Sequence, residues 1–253
     1  MPTTTRIAML LGLLALVVCT APAHTETVAC TAITSLPYVI TVQGIYCLTG
    51  NLSTGMTSGS AIDIQTNNVV LDLNGWKLGG LAAGVGTHTY GIHALDRQNI
   101  TIKNGTIRGF HSGIRLENAA VSQGHVIEDI RADQNTFVGI DVQGNGDIIR
   151  NNQVVATGGT TTAGPNADAY GIVVLGSGPR VLNNDVMHTF KQGTGTARGI
   201  FFNTVTDGLA INNRITDAGV GISFAGSNGK YRDNVTASVT TPYDSGTDIG
   251  NNN

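Results

Sequence analysis

The sequence predicts an all-β right-handed parallel β-helix, a solenoid of three-strand coils with an Asn ladder. Three observations predict it. A Gly-Ile pair recurs along most of the chain, and a short apolar stretch ending in an Asn-containing pair follows it. Composition agrees, with 34 glycines in 253 residues and only 12% charged side chains. Turn formers mixed with Val, Ile and Thr suit many short strands joined by tight corners. Hardly any window carries apolar residues at helical spacing, so long helices are not expected.

The N-terminus is set apart from the fold. Arg6 precedes an apolar run from Ile7 to Val18, and Ala21-Pro22-Ala23 follows. This reads as a signal peptide over residues 1–23, cleaved after about Ala23. The run is too short to cross ~30 Å of hydrocarbon comfortably, so no membrane span is expected. Cleavage removes Arg6 and Cys19 and leaves Cys30 and Cys47. An even pair in an exported chain points to a disulfide within an N-terminal cap segment, residues 24–60. The location expected is secreted or periplasmic. The formal net charge of -3 gives no reason to expect nucleic acid or an anionic membrane as partner.

The β-helix is expected over residues 61–253. The pairs are Gly91-Ile92, Gly113-Ile114, Gly139-Ile140, Gly171-Ile172, Gly199-Ile200 and Gly221-Ile222, spaced by 22 to 32 residues. Two residues past each Ile comes Ala94, Leu116, Val142, Val174, Phe202 or Phe224. A period of two puts both positions on one side of a strand, the core side. The second strand of each repeat ends at a turn such as Asn151-Asn152, Asn183-Asn184, Asn212-Asn213 or Asp233-Asn234, and a third strand follows. Asn tolerates left-handed backbone, and its amide can bond the coils above and below. Asn152, Asn184, Asn213 and Asn234 therefore form one inward ladder. It should fade where Gly75, Gly105 and Ile130 take that rung. The tail from Thr241 to Asn253 shows no helix to seal the last coil, and an open β edge invites end-to-end self-association.

This Gly-Ile and Asn-Asn pattern resembles the right-handed β-helix repeat proteins of the pectate-lyase-like superfamily. From Cys30 to the C-terminal Asn run it is similar to secreted bacterial members of that group. The superfamily includes polysaccharide lyases, galacturonan hydrolases, uronate epimerases, copper-delivery accessory proteins and non-enzymatic surface proteins. The resemblance thus implies a fold and leaves the activity open. The hydrolase signatures Asn-Thr-Asp and Gly-His-Gly are broken here, since Phe137 follows Asn135-Thr136 and Val126 follows Gly124-His125. No Asp-Asp pair or Asp-Pro-His signature is present.

Chemistry is sought where outward columns turn polar. Beside the Gly-Ile strands the first column reads His93, Arg115, Asp141, Val173, Phe201, Ser223, and the second begins Leu95, Glu117, Gln143. Coils stack at ~4.8 Å, so His93, Arg115, Glu117, Asp141 and Gln143 should converge. The long connections Gly79 to Tyr90, Ala156 to Tyr170 and His188 to Arg198 should rim this trough. Asp141 and Glu117 are candidate acid and base. Arg115 would neutralise a uronate carboxylate or, as the resemblance to lyases implies, act as a base. His93 or His111 would move a proton, and Tyr90 and Tyr170 would pack against sugar rings, with Gln143 binding beside them. The function expected is binding or processing of polysaccharide or oligosaccharide, an acidic glycan favoured, by lyase- or hydrolase-like chemistry. A non-catalytic glycan-binding or surface β-helix is the alternative, and a periplasmic metal-delivery accessory protein a further one. No cofactor is expected. The histidines lack zinc-ligand spacing, and a copper role would ask for Met and Cys clusters that the chain lacks after the leader.

Overall fold

A computed structural model describes residues 29–253. The leader expected over residues 1–23, its cleavage site and residues 24–28 lie outside the described residues. The described residues form 23 parallel-paired strands and one short 3-10 turn, Leu81–Ala83. They wind about eight times into a right-handed parallel β-helix with three walls. No helix among them is long and apolar enough to cross a membrane.

The first wall is built by the Gly-Ile strands, among them Tyr90–Leu95, Ser112–Glu117, Val138–Gln143 and Ala169–Ser177. Their register is the one the repeat predicts: Ile62, Ile92, Ile114, Ile140, Ile172, Ile200 and Ile222 pair in one file. Every member of that file is fully buried. Ala94, Leu116, Val142, Val174, Phe202 and Phe224 fill the neighbouring inward file. Phe202 and Phe224 stack with ring centres 4.2 Å apart. Burying such a side chain contributes roughly 1.5–3 kcal/mol. The stacked files explain why the pattern tolerates little but aliphatic and aromatic residues.

The recurring glycine has a steric cause. A Cβ on Gly171 would lie 2.5 Å from both the Gly199 carbonyl oxygen and Val186 Cγ1, and one on Gly139 would lie 2.5 Å from Val154 Cγ1. The corner there closes the first wall tightly over the third, and only glycine leaves room.

The second wall includes Val69–Asp72, Ile148–Arg150 and Arg180–Leu182, and the third includes Lys77–Gly79, Gln153–Gly158 and Asp185–Phe190. The Asn pairs turn the chain between these walls with divided roles. Asn151, Asn183 and Asn212 take positive φ of 57°, 56° and 54° at the bend. Asn152, Asn184 and Asn213 point inward and are buried. Asn152 Nδ2 donates to Asn184 Oδ1, Asn184 Nδ2 to Asn213 Oδ1 and Asn213 Nδ2 to Asn234 Oδ1, each at 3.0 Å. Asn234 continues the ladder by donating to Asn252 Oδ1 at 3.1 Å. At the other end the Ile130 amide donates to Asn152 Oδ1, and the ladder stops where no side-chain amide is available.

Winding begins early in the described residues. Thr31–Ile33 pairs with Gly44–Leu48, which pairs with Val69–Asp72. A Cys30–Cys47 disulfide, its Cα atoms 5.8 Å apart, ties the first segment to this strand.

Candidate functional site

The outward column of the first wall is in register as the repeat spacing requires. Asp63, His93, Arg115, Asp141, Val173 and Phe201 are successive partners. Leu95 pairs with Glu117, and Gln143 with Leu175. A register shift after Val174 ends the second column there, because the strand bulges between Val174 and Gly176.

The five predicted polar residues do converge, and they satisfy one another. Arg115 Nε hydrogen-bonds Glu117 Oε1 and lies 3.9 Å from Asp141 Oδ2. Gln143 Nε2 donates to both Asp141 oxygens at 3.2 Å. His93 is the hinge to a sixth member that the sequence reading missed: its Nδ1 lies 2.7 Å from Asp63 Oδ1, and its Nε2 3.9 Å from Glu117 Oε2. Asp63 belongs to Ser60–Ile64, which has the same alternation with Ala61 in place of the glycine. Aligning on Ile alone would have found it.

Burial sets the proton affinities. Asp141 is 5% exposed, and burial pushes its carboxyl up to about 6, against the pull of Arg115 and Gln143. For Arg115 burial works against the charge, yet Asp141, Tyr90 and Glu117 outweigh it and raise its pKa. Burial, with help from His88 and Arg115, lowers His111 to about 4, so its imidazole is neutral at physiological pH. His111 is therefore a poor proton carrier near pH 7, contrary to the role that its type suggested.

An aromatic row flanks the polar one. His88, Tyr90, His111, Phe137 and Tyr170 lie one to three places before a repeat glycine, and Phe201 lies two places after one. His88 and His111 lie with ring centres 5.6 Å apart, and Phe137 stacks on His111 at 4.9 Å. Tyr170 meets Phe137 edge-on at 5.7 Å and stacks on Phe201 at 5.5 Å. Tyr90 stacks on His93 at 5.3 Å and carries the Arg115 guanidinium over its ring at 5.2 Å. Tyr90, Tyr170 and His111 were expected at the trough. Phe137 and His88 were not, and an alignment of the residues before each glycine would have shown them. The Tyr170 hydroxyl donates to Asp168 Oδ2 at 2.7 Å. Burial, with Asp168 beside it, pushes that phenol up to about 12, so it stays protonated.

The long connections touch each other, as the Thr161 amide donates to the Val85 carbonyl at 3.2 Å. The hollow they enclose, about 420 Å³, is lined by Leu81, Val85, Ala156, His188 and Phe190 at the third-wall end. The polar row lies on the first wall, outside it.

The arrangement can present planar rings and a ladder of hydrogen-bonding groups to a long, hydroxyl-rich molecule. It can also offer one carboxyl, Asp141, that is partly protonated near pH 6. Among the described residues no three His, Cys, Asp or Glu side chains come together as a metal site.

A family model described as periplasmic copper-binding protein (NosD) matches residues 49–236. No curated protein sequence matches the chain. Among solved structures, the enzymatically active domain of bacteriophage CBA120 tailspike protein 2 aligns with a TM-score of 0.63 at 17% identity, over 87% of this chain and 38% of that one. Dettilon tailspike protein aligns with a TM-score of 0.51 at 13% identity, over 82% of this chain and 56% of that one. This chain therefore spans between 38% and 56% of those two, and at such identities the likeness is one of fold.

Proposed function

The chain belongs to the periplasmic copper-binding protein (NosD) family, and from that premise we propose that it is an exported glycan-binding β-helix. Its first wall holds a polysaccharide along the coil axis. The observation that carries the reading is the aromatic row from His88 to Phe201 running beside the hydrogen-bonding row from Asp63 to Gln143. Sugars offer an apolar ring face and a rim of hydroxyls, and the two rows match those two chemistries. Coils ~4.8 Å apart repeat at close to the length of one sugar residue in an extended chain. The disulfide and the periplasmic description of the family support a location outside the cytosol.

The contacts of Arg115 bear on the chemistry. Its Nε hydrogen-bonds Glu117 and lies beside Asp141, so its charge is already offset and a uronate there would meet two carboxylates. Elimination therefore has weak support, because that chemistry needs the carboxylate neutralised. Hydrolysis has more: Asp141 would give its proton to the leaving glycosidic oxygen while Glu117 takes one from the attacking water. The copper of the family description finds no matching donor set. Cys30 and Cys47 are joined in the disulfide, Met56 lies before a first-wall strand, and Met187 lies on the third wall. Among the described residues His88 and His111 lie with ring centres 5.6 Å apart, and no group of three His, Cys, Asp or Glu side chains gathers as a metal site. The described residues do not fit a resident copper centre.

Affinity electrophoresis against a panel of neutral and acidic polysaccharides tests the proposal. We expect retardation by at least one polymer, weakened several-fold in Phe137→Ala, since an aromatic face contributes on the order of 1 kcal/mol beyond the area it buries. If a retarding polymer is also cut, Asp141→Asn should abolish cutting and keep retardation. Absence of retardation by every polymer would reject the reading.

A further inference from the structure

We infer that Arg198 forms an anion subsite two coils from Asp141, so that the bound polymer is an acidic heteropolysaccharide whose charged sugar sits there. The inference rests on the glycan reading and names the substrate class of that same wall.

The geometry singles out Arg198. It pairs in register with Tyr170 of the preceding coil, in the corner column that precedes the repeat glycine. Its guanidinium carbon lies 4.8 Å from the Phe201 ring centre and 5.7 Å from that of Tyr170. The group is thus held flat at the end of the aromatic row, with 21% of the side chain exposed. Stacking fixes its plane and leaves its edge as the direction for bidentate hydrogen bonds.

Its acid neighbour is already engaged. Asp168 Oδ2 accepts the Tyr170 hydroxyl at 2.7 Å, and Oδ1 accepts the Thr196 amide at 2.6 Å. Arg198 Nη1 lies 3.9 Å from Asp168 Oδ2, an ion pair without a direct hydrogen bond, and the guanidinium also hydrogen-bonds the Tyr170 side chain. Arg198 Nε is buried without a hydrogen-bond partner, so the terminal Nη groups are the donors through which the side chain would meet a ligand. This differs from Arg115, which Glu117 holds directly and Asp141 faces. Arg115 faces two carboxylates, one of them hydrogen-bonded, whereas Arg198 faces one carboxylate at a distance longer than a hydrogen bond.

Position sets the pattern of the ligand. Asp141 pairs with Val173, and Val173 with Phe201, so Arg198 and Asp141 are two coils apart, on the order of 10 Å along the axis. Sugars over Asp63, Glu117 and Asp141 meet carboxylates and are neutral; the sugar over Phe201 meets a cation and carries a carboxylate or sulfate. A polymer charged at every residue would be repelled at the first position, and a fully neutral one would leave Arg198 unused.

The test uses the intact protein with gellan and xanthan, both acidic heteropolysaccharides, and the same polymers after carboxyl reduction. The readout is the ratio of affinities for the native and the reduced form. Wild type should favour the native form by roughly tenfold, with the preference shrinking in salt. Arg198→Gln should bring the ratio near one, and Arg198→Lys should restore part of it. An unchanged ratio in Arg198→Gln, or an equal fall for both forms, would overturn the subsite and leave the glycan reading standing. Weakened binding in Phe137→Ala with the ratio in Arg198→Gln collapsed supports both. If neither form of any polymer binds wild type, both fall together.

Discussion

Asp147 is fully buried, its Oδ1 accepts the His125 amide at 2.8 Å, and its Oδ2 has no hydrogen-bond partner. Burial pushes its carboxyl up to about 7. A carboxyl raised this way stabilises the fold below its unfolded value near 3.8, and that contribution is lost as pH rises toward 7. Asp141 behaves alike, with its loss complete near pH 6. His111 and His125 act in the opposite sense. Burial lowers both to about 4, so they stabilise above pH 6.5 and the contribution is lost as pH falls toward 4. The two pairs offset each other, and wild-type stability should be nearly flat between pH 4 and 7. Asp147→Asn keeps the Oδ1 acceptor and removes the buried charge. It should raise stability at pH 8 by on the order of 3 kcal/mol and make the variant lose stability on acidification, as read by urea unfolding at pH 4, 6 and 8. A variant with the wild-type pH profile would show that Asp147 titrates normally. Nothing in the sequence marks this residue, because its proton affinity comes from contacts between coils.

At the scale of the element, the corner between second and third walls depends on two asparagines with different tasks. Asn184 accepts from the amide and side chain of Asn152, and donates to the Ile149 carbonyl and to Asn213 Oδ1. Replacing it with Ala strands donors and acceptors on both neighbouring coils, which costs on the order of 3 kcal/mol or more. Asn183→Ala alters the bend, where a side chain at positive φ is strained by roughly 1 kcal/mol, and removes only solvent-exposed hydrogen bonds with Asn151 and Asn212. Chemical denaturation of the two variants should rank them in that order; equal losses would mean that the ladder adds nothing beyond the turn. Gly171→Ala should be worse than either, since its Cβ meets backbone of the next coil at 2.5 Å. These elements were legible because each coil repeats the same residue for the same steric or hydrogen-bonding reason. The coil containing Asp63 was less legible. Ala61 stands where the glycine recurs elsewhere, so the eye following Gly-Ile passes over it.

For the whole molecule, a solenoid buries each coil only against its neighbours, so the ends govern its resistance to unravelling. The Cys30–Cys47 link closes a 17-residue separation and should contribute about 3 kcal/mol in the chain-entropy model. A Cys30→Ser, Cys47→Ser variant should melt at lower temperature with its first coil exchanging hydrogen fastest; an unchanged melt would place the weak point elsewhere. At this scale the sequence conveyed the coil, the inward files and the polar column, because register converts spacing into adjacency. It did not convey how fully Arg115, Glu117, Asp141 and Gln143 pair with one another, nor the stack of Phe137 on His111. Those depend on side-chain rotamers and on corner residues that follow no strict repeat. The loops also misled. Their length suggested a rim over the polar row, yet the hollow they enclose lies at the third-wall end.

The proposed glycan lies lengthwise over the first wall. Hydrogen–deuterium exchange of the intact protein, with and without a retarding polysaccharide, examines this directly. Protection should appear in Tyr90–Leu95, Ser112–Glu117, Val138–Gln143, Ala169–Ser177 and Ala197–Thr206, with the second wall unchanged. Protection confined to the hollow around Val85, Ala156 and Phe190, or spread evenly over all three walls, would contradict it.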